Sequence, residues 1–233
     1  MIYVVFQSIH FAYICRMISW WKITGVLLVF YAIIGGMLMP VPKLDILEQS
    51  IRNLYYHVPM WFVMILLMLA SAINAVKYLR TSDMRFDIRS EQQARMGIVF
   101  GIMGLVTGMV WAKNTWGAYW TNDPKLNSAA IGMLMYLAYT VLRGSMEDDE
   151  KRARVSAVYN LFSFPVFVVL IFILPRLTDS LHPGNGGNPG FNSYDLDSRL
   201  RMVFYPAVIG WTLIGFWIAQ LYSRIEQLNK QND

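Results

Sequence analysis

Leu54–Val76 reads LYYHVPMWFVMILLMLASAINAV and contains no Asp, Glu, Lys or Arg. An α-helix needs about 20 predominantly apolar residues to cross the hydrocarbon of a bilayer. This stretch is long enough, and it decides the fold class. Its conspicuous polar residues are His57 near the start and Asn74 near the end. Asn74 is read most simply as a helix-to-helix hydrogen bond.

Five more apolar runs lie to either side: Trp21–Met39, Met96–Trp111, Ala129–Leu142, Tyr159–Leu174 and Val203–Tyr222. The runs Met96–Trp111 and Ala129–Leu142 are short. They reach spanning length when flanking Gly, Trp and Tyr count as interfacial ends. The chain has 233 residues, 56% of them hydrophobic and 15% charged, with a mean hydropathy of +0.39. A soluble globule so poor in charge could not cover its surface, and the apolar residues are clumped into runs. The alternative, a soluble protein with buried core helices, fits the clumping less well. The expectation is an all-α, polytopic membrane protein with six transmembrane helices.

Charge bias sets the orientation. With the N-terminus inside, 13 Lys and Arg fall on the inner side and 7 on the outer. The positive-inside rule then puts both termini in the cytoplasm. The expected organisation is an apolar, interfacial segment over 1–20, a membrane domain over 21–222 and a cytoplasmic tail over 223–233. The domain carries an outer Trp-rich loop, 112–128, and an outer His loop, 175–202. His10 lies on the inner side, and MEDDEKRARV reads as a solvated inner loop. Trp20, Trp21 and Lys22 read as an interface anchor. Basic residues flanking apolar runs, with no basic stripe in a polar context, argue against nucleic acid. The single cysteine, Cys15, excludes an internal disulfide or a CxxC pair.

Several chemistries are absent. There is no phosphate-binding G-x-x-x-x-G-K-[ST], no H-E-x-x-H and no G-x-S-x-G, so nothing marks a stand-alone enzyme. GIMGLVTG places Gly104 and Gly108 as G-x-x-x-G inside an apolar run, which reads as close helix packing. The remaining chemistry lies on the outer side. KNTWGAYWTNDPKLNS, Lys113–Ser128, spends Trp116, Tyr119 and Trp120 on a connector. His57 and His182 share that side. A neutral imidazole is a good axial ligand for haem iron, and large aromatic rings can stack on a porphyrin. Each residue has a plainer reading too: the rings as an aromatic belt, each His as a hydrogen-bonded interface residue. Zinc would want three or four ligands, and two His with Asp123 leave that geometry undefined.

VTGMVWAKNTWGAYWTNDPKLNSAAI resembles the tryptophan-rich signature of the haem-handling proteins of cytochrome c maturation (the CcmC/CcmF/CcsA group). LYYHVPMW and DSLHPG resemble the two outer histidine motifs of the heme exporter protein C (CcmC) family. The resemblance runs over nearly the whole chain. It implies haem b held at the outer face of the inner membrane, with His57 and His182 as axial ligands. It also implies Trp111, Trp116, Gly117, Tyr119, Trp120 and Asp123 as the haem-contacting aromatic loop. Its implied partners are a periplasmic haem chaperone (CcmE-like), ABC-type membrane and ATPase subunits (CcmA/CcmB-like) and a small single-span subunit. The implied role is haem delivery in a multi-pass protein of the bacterial inner membrane. The alternatives are a haem lyase acting on apocytochrome c and a generic ABC permease. The chain departs from the usual motif at Tyr119, Thr121, Asn122, Pro124 and Lys125. Pro124 removes a backbone donor and drives Asp123 toward an extended conformation. Asp123 itself is expected at the rim of the loop, where its charge could meet a partner.

Overall fold

The computed structural model describes residues 19–43, 47–182 and 196–232. The N-terminal segment with His10 lies outside the described residues, as does 183–195 of the His loop. The described residues form six helices: α1 (Trp20–Leu38), α2 (Leu54–Thr81), α3 (Met84–Trp116), α4 (Pro124–Gly144), α5 (Asp149–Val168) and α6 (Ser198–Asn232). A 3-10 turn, Glu48–Asn53, leads into α2. A π-helical stretch, Val169–Ile173, and a 3-10 turn, Leu174–Arg176, extend α5.

Five of the six helices, with their extensions, are long and apolar enough to cross a membrane; α4 is the exception. Its ends carry Lys125 and Arg143, and its middle carries Gly132, Tyr136 and Tyr139, which dilute its hydropathy. Large side chains such as Leu27, Phe30, Leu134, Val141 and Phe162 are exposed. A soluble surface would not carry so many; a lipid-facing one does.

The helices overrun the apolar runs that announce them. α3 starts at Met84, twelve residues before the apolar run begins, because Asp83 caps it by accepting the Arg85 N–H. At its other end α3 reaches Trp116, and α4 begins at Pro124. The expected outer loop 112–128 therefore shrinks to the connector 117–123. The expected tail continues α6 instead of leaving it, and MEDDEKRARV opens α5, whose cap Asp148 accepts from Lys151 N–H. Asn74 does bond across helices, donating to Gln93 Oε1 at 2.8 Å.

α2 is the central helix. It packs on α3, α5 and α6, while α1 lies on α6 and α4 lies on α3 and α5. The α2–α3 seam is built on four glycines of α3. A Cβ at Gly97 would come within 2.7 Å of Met68 Cε, and one at Gly104 within 3.0 Å of the Trp61 indole. Between them Gly101 lies against Met64 and also against Met133 of α4, and beyond Gly104 a Cβ on Gly108 would lie 2.7 Å from His57 Cε1. The four side chains of α2 step in the reverse order of the four glycines, as antiparallel neighbours must. Each glycine is a notch for a side chain of α2. Close helix packing holds, but with side chains filling the notches.

At the opposite end of the bundle from His57, α3 and α4 are locked by charge. Arg143 donates to Asp87 Oδ1 at 2.8 Å and Oδ2 at 2.6 Å, and lies 3.0 Å from Glu91. All three are buried. Removing one partner of such a set leaves a charge without water or counter-charge. Arg143→Met is expected to destabilise the protein by about 3–5 kcal/mol, read from thermal unfolding in detergent. Combining it with Asp87→Leu and Glu91→Gln is expected to recover part of the loss. An Arg143→Met protein as stable as the parent would contradict this account.

Candidate functional site

His57 sits in the first turns of α2, where the 3-10 turn hands over to the helix. Its Nδ1 lies 2.9 Å from the Gly104 carbonyl oxygen and 3.2 Å from Thr107 Oγ1. A helix normally shields its carbonyls with side chains. Gly104 and Gly108 carry none, so the imidazole settles against the backbone of α3. A carbonyl can only accept, so Nδ1 carries the proton and Nε2 keeps its lone pair.

Asp123 holds the second histidine. It is extended, at φ −96° and ψ 133°, as a residue before proline should be. It caps α4 by accepting from Lys125 N–H at 2.9 Å and Leu126 N–H at 3.3 Å. Pro124 occupies the first helical position, where its missing N–H costs nothing. The other carboxylate oxygen accepts from Ser180 Oγ at 2.9 Å and Leu181 N–H at 2.8 Å. His182 Nδ1 donates to Oδ1 at 3.1 Å. Asp123 is thus buried, at 3% exposure, and not at the rim. Five donors explain why: they replace the water a carboxylate would otherwise require. Burial raises its pKa, but the Leu181 and Ser180 bonds and nearby His182 outweigh that and leave it below the ordinary carboxylate value. Burial lowers the His182 pKa to about 4, Lys125 pushes the same way, and Asp123 opposes both. The ring is therefore neutral near pH 7.

The aromatic segment packs largely on this histidine. The Trp116 ring stands edge-on to His182 at 4.7 Å between centroids, and Trp111 lies at 6.1 Å. The two indoles also meet each other at 5.1 Å. Gly117 ends α3 in the left-handed region, φ 81°, which a residue without Cβ tolerates. Trp120, 40% exposed, donates from Nε1 to Asn127 Oδ1 at 3.3 Å. Tyr119 is exposed, with Lys113 Nζ 5.8 Å from its ring centroid.

A cavity of about 260 Å³ opens between α2, α3, α4 and the π-helical extension of α5. His57, His182, Trp111 and Trp120 line it together, with Leu54, Val58, Phe62, Met109 and Phe172 on apolar walls. Trp116 and Asp123 stand behind His182, and Gly117 and Tyr119 take no part in the wall. Among the described residues no group of three or more His, Cys, Asp or Glu could hold a bare metal ion.

Trp61, Lys125 and Arg176 are among the wall residues that were not expected as site residues. Trp61 lines the cavity edge-on to His57, at 6.4 Å, and its spacing of four from His57 was a usable signal. Lys125 and Arg176 bring two positive charges to the same wall. Burial lowers the Lys125 pKa, Arg176 lowers it too, and Asp123 opposes them. Arg176 had no sequence signal, since the π-helical stretch determines where it falls.

Asp123→Ala removes both the cap and the anchor of the His182 segment. Loss of a cap costs about 1 kcal/mol, roughly a fivefold rise in local opening. Amide exchange at Lys125 and Leu181 is expected to quicken together by at least that factor. Asp123→Asn, which still caps, is expected to stay near the parent at Lys125. Independent responses at the two amides would break the link.

The chain matches the family model of CcmC, heme exporter protein C, over residues 5–233. It is 27% identical to the heme exporter protein C of Bradyrhizobium diazoefficiens over 218 residues, 93% of this chain and 81% of that protein. A ccmC-like mitochondrial protein of Marchantia polymorpha is 31% identical over 121 residues, 51% of this chain and 50% of that protein. The heme exporter protein C of Escherichia coli K12 is 25% identical over 175 residues, 72% of this chain and 64% of that protein. Against the last two, the match spans less than two thirds of the relative's length. With the family model matched over nearly its whole length, the chain belongs to the heme exporter protein C (CcmC) family, multi-pass inner-membrane proteins with a haem-handling role in cytochrome c maturation.

Proposed function

We propose that the chain binds haem b in the cavity between His57 and His182 and delivers it to a periplasmic haem chaperone. One observation carries the reading: two imidazoles, each held at Nδ1 by an acceptor, line the same largely apolar cavity. That arrangement leaves both Nε2 lone pairs for a metal centre that accepts two axial nitrogens, as haem iron does. The donor set fits haem better than a bare ion, which would want more ligands.

The walls support the same guest. Trp61, Trp111 and Trp120 offer ring surface to a flat apolar disc. Lys125 and Arg176 supply positive charge for its two carboxylates. We assign the cavity to the outer face, with both termini in the cytoplasm, from the excess of Lys and Arg on the other side. Delivery then proceeds to a periplasmic acceptor, in association with ABC-type membrane and ATPase subunits. Haem lyase and simple permease readings have no comparable observation behind them.

His57→Ala and His182→Ala are each expected to lower haem content of the purified protein, measured as the pyridine haemochrome, while His10→Ala stays at parent level. Equal haem in all four proteins would remove the assignment. The glycine seam offers a second test. Gly108→Ala puts a methyl group 2.7 Å from His57 Cε1, so the ring must move. Gly97→Ala meets the flexible end of Met68, far from the cavity. Haem affinity is expected to fall about tenfold or more in Gly108→Ala, in the range of losses seen when ligand support is disturbed. Gly97→Ala is expected to bind as the parent does. Trp120→Ala is expected to cost roughly a few-fold to tenfold.

A further inference from the structure

The two histidines are held through the same ring nitrogen by different acceptors. His57 Nδ1 faces the Gly104 carbonyl, a neutral group. His182 Nδ1 faces a carboxylate oxygen of Asp123, buried away from solvent. We infer that the pair is an unequal one: His182, backed by the Asp123 carboxylate, is the ligand that holds haem through delivery, and His57, backed by a carbonyl, is the ligand that yields to the receiving partner. The inference rests on the haem reading above.

The physical reason lies in the shared proton. A carboxylate draws the Nδ1 proton toward itself and leaves more electron density on Nε2, which strengthens the bond to a metal. A hydrogen bond to an ionised acceptor is roughly twice as strong as one between neutral groups. Burial sharpens the difference, because little water screens the charge. The bonds Asp123 accepts from Lys125, Leu126, Ser180 and Leu181 draw off part of its charge. The Gly104 carbonyl has only a dipole to offer, and the His57 N–H is shared between it and Thr107 Oγ1, 3.2 Å away. Position agrees with electronics. Asp123 fastens His182 to the start of α4, and the Trp116 and Trp111 rings pack on its imidazole. An acceptor protein presenting its own nitrogen ligand would meet less resistance on the His57 side.

The test uses the full chain in detergent, loaded with haem b and reduced. His57→Ala keeps only His182, and His182→Ala keeps only His57. Resonance Raman spectroscopy of the five-coordinate ferrous forms reads the iron–imidazole stretching band, which rises with donor strength. The band is expected at higher frequency in His57→Ala than in His182→Ala. Adding Asp123→Asn to His57→Ala keeps the helix cap, since Asn caps as well as Asp, and is expected to lower the band toward that of His182→Ala. Haem loss to excess apomyoglobin is expected to be about tenfold or more faster from His182→Ala than from His57→Ala. Equal bands and equal loss rates, or the reverse order, would overturn the inference. A readout without haem stands beside it: nitrogen NMR of the haem-free parent is expected to show both rings protonated at Nδ1. The His182 proton is expected further downfield, a difference that Asp123→Asn removes. Two equivalent ring protons would also overturn it. A parent protein that takes up no haem would overturn the haem reading itself, and the NMR difference tells the two failures apart.

Discussion

The contact between α2 and α3 is the constraint on which the rest of the structure depends. Two apolar helices in lipid gain little from hiding apolar surface, because the lipid is as apolar as they are. They must gain from fit. Here the fit comes from four glycines that admit Met68, Met64, Trp61 and His57 in turn. The first three side chains fill space. The last finds a backbone carbonyl that no Cβ covers, and bonds to it. One packing device thereby does two things: it registers the central helix pair, and it orients an imidazole at the end that carries the cavity.

Asp123 plays the corresponding part for the second histidine. A carboxylate in a buried position is unfavourable unless donors surround it. Five donors do, from two segments distant in sequence: the start of α4 and residues 180–182. The helix start needs an acceptor for its free N–H groups, and the His182 segment needs something to hold it. The same two oxygens meet both needs. The local geometry follows from Pro124, which favours the extended backbone of the residue before it and the helical backbone of its own.

α4 is held at both ends by charge and not by an apolar face alone. Asp123 fixes its beginning, and the Arg143–Asp87–Glu91 set fixes its end against α3. This explains how the helix least suited to a bilayer by composition still takes its place in the bundle. It also keeps Lys125 and Leu126 beside the cavity, on the turn that Asp123 starts.

The sequence by itself determined that this chain is a bundle of apolar helices. In lipid every backbone group must be paired, and an apolar run of spanning length can pair its own groups within the run only as a helix. It also determined where the chemistry gathers, because two histidines and a cluster of Trp are rare enough to stand out among apolar runs. The CcmC-like motifs pointed to the same segments. What escaped is a matter of faces and partners. Hydropathy counts Asp87 and Glu91 as loop residues, because it cannot see Arg143, 56 residues away from Asp87. The aromatic segment looked like a long loop, because nothing local says that α3 runs on to Trp116. Asp123 looked like a rim charge, because His182, 59 residues further on, supplies part of its shelter. Helix formation is a local property of the chain, and local sequence discloses it. The partner of a buried charge or of a ring nitrogen is brought near only when the helices pack, and only the tertiary structure decided those.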